Sequence, residues 1–395
     1  MRKRLARFLP PLLVLWCVTF AALASNPAAA APLPEATTTE LARVVAAWRE
    51  ASQVPGVAAA VVVDGVPAWS QGFGLADLEG EVPVRPDTRF RLASVSKPIT
   101  ATAAMKLVGS GRLDLDAPVR TLCPAWPSKR WPVTTRELLG HVGGVRHYRA
   151  VGGRADPILD SLRHYPDIES ALAVFARSPL LVRPGTAYRY TTFGYTLVGC
   201  VIEGASGQDY ATWLQEAILG PAGMVDTRAD DAIQVIARRA RGYALRPDGN
   251  VVNANMNDTS YKIPGGGLLS SAADMARFEA ALLGGTLLPD ATREEMWTSL
   301  RLASGRVTRY GLGWNIAYRP ATSGAAPVRV VSHSGGQFGT STAILLAPEQ
   351  AVGVVVLANL EDVDADALGG TLLDLLLESA SQQGPSASVP SQVTP

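Results

Sequence analysis

No long stripe or tail of like charge is present in this sequence. Across 395 residues, 36 Lys and Arg face 35 Asp and Glu, which leaves a net charge of +1. Without a basic stripe or an acidic tail, charge supplies no footprint for a nucleic-acid partner. Cysteine is scarce, with 3 residues, and charged residues make up 18% against 47% hydrophobic, too apolar for a disordered chain. No repeat of about 20 to 50 residues is visible, so a solenoid is excluded. The glycine clusters Asp64-Gly65 and 264–267 lack the lysine of a phosphate loop and read as turns. Of the 4 histidines, His141 and His147 are too far apart for one helical face and have no carboxylates beside them. No metal or other cofactor is therefore expected.

What is present begins at the N-terminus. Arg2, Lys3, Arg4 and Arg7 precede an apolar stretch over 8–24, followed by small residues as far as Ala31. That order predicts a signal peptide over 1–30 and an exported, periplasmic or secreted protein. The alternative is an uncleaved anchor, the one route by which a membrane would be a partner. Cys17 follows the bulky Trp16, which argues against lipid attachment there. After cleavage Cys123 and Cys200 remain. An oxidising compartment permits a disulfide, but Cys200 lies in the apolar, helix-like run 195–202 and reads first as a small buried hydrophobe.

Periodicity places a helix at 40–51, capped from Thr37 to Thr39, with Leu41, Val44, Val45 and Trp48 on one face. Strands follow at 57–63 and 66–73 around Asp64-Gly65, with a short run at 89–92. Residues from about 111 to about 284 alternate helical patches with Gly/Pro-rich loops. Strands return at 312–317, 328–331, 341–346 and 352–357, then a helix at 365–379. An α+β fold results: an antiparallel sheet from distant chain segments, flanked by terminal helices, with a mainly helical lobe. The catalytic domain is expected over 31–380, with a disordered tail at 381–395 and a pocket between sheet and lobe.

Ser94-Val95-Ser96-Lys97 stands out, because Pro98 is tolerated only in the first turn of a helix beginning near Ser94. Residues three apart share a helix face, so Lys97 lies over Ser94 while Ser96 points elsewhere. Burial and the positive helix N-terminus both favour the neutral amine of a general base. Alone, this tetrapeptide is an ordinary helix cap. Its weight comes from company in order: the hydroxyl-rich 188–195, containing Tyr190 and Thr192, and later His333-Ser334-Gly335-Gly336.

Serine, then Tyr-x-Asn, then Lys-Thr-Gly or His-x-Gly is the motif set of class C β-lactamases, DD-peptidases and related esterases. From about 38 to about 378 the chain resembles that β-lactamase/penicillin-binding superfamily. Further matches lie at 138–141, 184–185, 264–268 and 310–314. Leu138 to His141, with Val145-Arg146-His147-Tyr148, looks closest to the mitochondrial serine β-lactamase-like branch and its bacterial relatives. The resemblance implies Ser94 as acylated nucleophile, Lys97 as base and Tyr190 as proton shuttle. It also implies an oxyanion hole from the backbone N–H groups of Ser94 and Gly336. Gly335 would let the strand approach the substrate backbone, with Thr192 and His333 contacting substrate.

Two departures bear on the substrate. Thr192 replaces asparagine and offers one donor where the amide offers two. His333 replaces the lysine of many relatives, and imidazole is mostly neutral near pH 7. Both point away from β-lactam hydrolysis and towards a small amide, short peptide or ester. The alternatives are a β-lactamase or DD-carboxypeptidase, and a silent binding or self-assembling scaffold. Oligomeric state is left open. Asn257-Asp258-Thr259 has the pattern of a glycosylation acceptor, relevant only in a glycosylating host.

Overall fold

The computed structural model describes residues 32–149, 155–320 and 326–383. The expected signal segment and all but the first residues of the expected tail lie outside them.

Seven antiparallel strands form the main sheet, in the order Val82–Pro83, Val66–Asp77, Gly56–Val63, Val352–Ala358, Thr340–Ala347, Val328–Gln337, Asn315–Arg319. Its centre joins the two ends of the chain, with Val57 opposite Ala358 and Val61 opposite Val354. Both faces are covered. Val57, Ala59 and Val61 turn towards the helices Glu35–Ala51 and Ala365–Gln383, meeting Leu41, Val45, Leu368 and Leu372. Ala58, Ala60 and Val62 turn the other way, into a larger core shared with the helices Ser96–Gly109 and Ala272–Leu283. The alternation is that of a strand buried on both faces, so a one-residue slip would exchange two differently shaped surfaces.

Several local expectations shift. The first helix begins at Glu35, directly after Pro34, so Thr37 to Thr39 are helical rather than capping. Proline pre-sets the turn and Glu35 suits the positive helix end. The strand expected at 312–317 runs over Asn315–Arg319, because Gly313 takes φ +91° in a preceding loop. His333 to Gly336 belong to the strand Val328–Gln337 itself, paired along Thr340–Ala347 despite two glycines. In the lobe, helices such as Thr192–Ser206 alternate with short strands, including Arg228–Ala229 and Leu268–Ser270. Strands this short are invisible to period-two patterning.

The free-thiol preference for Cys200 is corrected: Cys123 and Cys200 form a disulfide. Helical spacing showed that Cys200 belongs to an apolar helix, but only packing showed that Cys123 lies against it. The bridge ties the loop after Val119–Thr121 to the long helix Thr192–Ser206, across 77 residues of sequence.

Candidate active site

Ser94 occupies a single 3-10 turn, Ala93–Val95, that leads directly into the helix Ser96–Gly109. The turn is strained, since Ala93 has φ +46°, a conformation that side chains disfavour. It is held by the strand behind it. A Cβ on Gly335 would lie 2.9 Å from Ser94 N and 2.5 Å from Leu92 O. The missing side chain of Gly335 lets the strand close onto the backbone of the Ser94 turn. Gly336, by contrast, faces open space and lines the cleft beside Ser94.

Lys97 is fully buried and places Nζ 2.9 Å from Ser94 Oγ. The same nitrogen lies 2.5 Å from the Gly265 carbonyl and 3.4 Å from Thr192 Oγ1. Burial, and then the charge of Lys262, push its pKa well below the ordinary lysine value. A neutral amine has two hydrogens and one lone pair. Gly265 O and Thr192 Oγ1 can take the hydrogens, leaving the lone pair for the Ser94 hydroxyl. Ser96 Oγ points away and accepts from Leu268 N at 3.2 Å.

On the other side of Ser94, Tyr190 donates to Oγ at 2.8 Å. Burial raises the Tyr190 pKa, so the phenol keeps its proton at rest and Lys97 is the basic member of the pair. The order Tyr190 to Ser94 to Lys97 is a polarised chain with every proton assigned.

Two histidines hold the Tyr190 segment in place. His141 Nδ1 accepts from Thr191 N and His147 Nδ1 accepts from Thr192 N, each at 3.2 Å. They satisfy donors at the start of the helix Thr192–Ser206, which would otherwise have no partner. The His141 ring packs 4.3 Å from the Tyr190 ring. Both roles require neutral imidazoles, and burial lowers both pKa values, to about 4 for His147. Sequence spacing marks both histidines but gives them no role at the site, since neither falls on a regular element.

His333 departs from its expected role as a substrate contact. It is buried, with Nδ1 2.7 Å from the Ser334 carbonyl and Nε2 2.9 Å from Tyr310 Oη. Nδ1 must therefore carry the proton and Nε2 accept from Tyr310, which uses both ring nitrogens inside the protein. Burial first, then Lys97, press its pKa down to about 3. Thr192 is nearly buried but keeps a place on the cleft wall. Asn257 is also buried, with its amide donating to Leu159 O at 3.1 Å, so it presents no free acceptor for a glycan.

The cleft over Ser94 holds about 150 Å³ and is walled by Tyr190, Thr192, His147, Tyr148, Lys262 and Gly336. It adjoins a wider cavity of about 380 Å³ that shares His147, Tyr148, Lys262 and Gly336. Lys262 and the Gly265 carbonyl carried no signal of their own beyond the Tyr-Lys-x-Pro-Gly-Gly-Gly run of 261–267.

Comparison with known proteins places this geometry. The family model described as Beta-lactamase matches residues 41–378. The chain is 30% identical over 379 residues to the serine beta-lactamase-like protein LACTB, mitochondrial, of Homo sapiens, covering 75% of this chain and 69% of that protein. To the esterase EstB of Burkholderia gladioli it is 30% identical over 348 residues, covering 76% and 84%. Among solved structures, the octameric penicillin-binding protein homologue from Pyrococcus abyssi superposes with a TM-score of 0.71 at 28% identity, covering 86% of this chain and 77% of that one.

Proposed function

The chain belongs to the beta-lactamase family of serine hydrolases, and on that premise we propose that it forms an acyl-enzyme on Ser94 and hydrolyses a small amide, short peptide or ester outside the cytoplasm. The observation that carries the reading is the hydrogen-bonded order at Ser94, with Lys97 Nζ at 2.9 Å and Tyr190 Oη at 2.8 Å. Ser94 Oγ attacks the carbonyl carbon as its proton passes to the Lys97 lone pair. The carbonyl oxygen becomes an oxyanion between the backbone N–H groups of Ser94 and Gly336. Collapse breaks the bond to the leaving group, which takes a proton relayed through Tyr190 from Lys97. Water then attacks the ester of Ser94 and loses a proton to the same relay; the C–Oγ bond breaks, the relay returns that proton to Ser94 Oγ, and the acid leaves.

The neutral, fully engaged His333 supports an ester or peptide over a β-lactam, because no fixed cation stands at that position. The relative whose name reads esterase agrees with that preference. Export is supported by the charged, apolar, small-residue order at the N-terminus and by the Cys123–Cys200 bridge, since disulfides persist in oxidising compartments. Among the described residues no helix is long and apolar enough to cross a membrane.

The test is labelling with a fluorophosphonate and a fluorescent penicillin, followed by mass mapping and a panel of chromogenic esters, D- and L-aminoacyl anilides and nitrocefin. Label on Ser94 with turnover of esters or anilides is the expected outcome. Nitrocefin as the best substrate would install the β-lactamase reading. An unlabelled, inert protein would leave a scaffold.

A further inference from the structure

Lys262 is a buried cation at the cleft with no anion of its own. It sits in the 3-10 turn Ser260–Lys262, is 4% exposed, and lines both the cleft at Ser94 and the wider cavity beyond it. Its ammonium makes no hydrogen bond or ion pair among the described residues; its one contact of note is the Tyr261 ring, 5.5 Å away. Asp230 is the nearby carboxylate, and it is already taken by Arg91 at 2.9 Å and Arg239 at 2.6 Å. A buried lysine without a partner costs stability, and a methionine of similar length would avoid that cost. Among the described residues, no hydrogen-bond or ion-pair partner fills that position.

We propose that Lys262 is the counter-ion for a carboxylate carried by the substrate, seated where the Ser94 cleft opens into the wider cavity. This rests on the acyl-enzyme reading above and names the substrate class it leaves open. The wider cavity, about 380 Å³ with Leu159 and Phe338 among its walls, has room for a short chain linking that carboxylate to the reacting carbonyl.

The groups around Lys262 set the pH at which it acts. Burial and then Arg91 lower its pKa to about 7, with Asp230 acting in the opposite direction. Lys97 and His147 feel its charge from the cleft side, and Glu361 and Asp362 also line the wider cavity. Its charge, and the preference it confers, is present below about pH 7 and is lost as pH rises above that.

The experiment compares p-nitrophenyl acetate with the mono-p-nitrophenyl ester of glutaric acid, and with 4-acetoxybenzoate, which carries the carboxylate on the leaving group. In the wild type, kcat/KM for one of the two carboxylate esters should exceed that for the acetate, and the ratio should fall as pH rises from 6 to 8. Because Lys97 serves all three esters, the ratio cancels its titration. Lys262→Met should lower that ratio by roughly 30-fold or more, the scale of an interaction with a desolvated charge. Which ester responds assigns the carboxylate to the acyl or the leaving side. A second arm measures calorimetric binding of N-phenylglutaramic acid and N-phenylsuccinamic acid to Ser94→Ala, with and without Lys262→Met. That arm reports on Lys262 even if no ester is turned over, whereas absent labelling at Ser94 bears on the acyl-enzyme reading alone. Equal loss on charged and neutral esters, with the acid limb moved to higher pH, would mean that Lys262 acts only by depressing Lys97. A pH-independent ratio, or binding indifferent to Lys262→Met, would equally overturn the proposal.

Discussion

The Gly265 carbonyl accepts a hydrogen bond from Lys97 Nζ at 2.5 Å, so the amine facing Ser94 is aimed by a residue 168 positions further along the chain. The carbonyl reaches that point because Gly265 has no side chain: a Cβ there would lie 2.7 Å from the Thr192 carbonyl oxygen. Helix geometry alone brings Lys97 onto the Ser94 face. The direction of its lone pair depends on Gly265 and Thr192, which arrive from two other segments.

Ser94→Ala should abolish covalent labelling and reduce ester turnover by roughly 10³-fold or more, the scale of losing a nucleophile. Ser96→Ala should retain labelling at Ser94, because Ser96 Oγ is spent on Leu268 N and faces away from Lys97. Mass mapping of the labelled proteins checks both. Equal loss in the two variants would remove the assignment.

Tyr190→Phe should lower kcat by about 10²-fold while leaving the circular dichroism unchanged, as for other general acid–base groups. The phenol donates to Ser94 Oγ at 2.8 Å, and the ring itself, packed on His141, survives the change. Full activity in the phenylalanine variant would reduce Tyr190 to a packing residue.

His333 ties stability to pH. Its folded pKa of about 3 lies below the unfolded value of about 6.5, so its contribution is complete above about 6.5 and is lost as pH falls towards 3. The stability advantage of the wild type over His333→Gln, measured by denaturant unfolding, should narrow over that acid range. His333→Lys should destabilise by roughly 2 kcal/mol or more by burying an amine beside Tyr310, without making nitrocefin a better substrate than esters. A stable lysine variant with improved nitrocefin turnover would return His333 to the substrate-contacting role.

Replacing Cys123 and Cys200 together by alanine should cost about 2–4 kcal/mol, because the bridge closes a long loop in the unfolded chain. Ester turnover at low temperature should persist, since neither cysteine lines the Ser94 cleft. An unchanged melting temperature on reduction would show that the bridge contributes nothing.

Local patterning determined a good deal of this protein. Continuous apolar runs marked the central strands, Pro98 pinned the helix start beside Ser94, and helical spacing separated Ser94 from Ser96. These are properties of neighbours along the chain, and the resemblance of the spaced motifs joined Tyr190 and Thr192 to them. What the sequence could not hold is contact between segments far apart. His333 was legible as an imidazole, but only packing against Tyr310 decided that both its nitrogens are spent inside the protein. Cys123 and Cys200 were legible as scarce thiols, and only the approach of a loop to a helix made them a bridge. Lys262 was an ordinary charge beside a glycine run until burial without an anion set it apart. Burial and partner are sums over the whole fold, and those sums decide which charges in the cleft are free to meet a substrate.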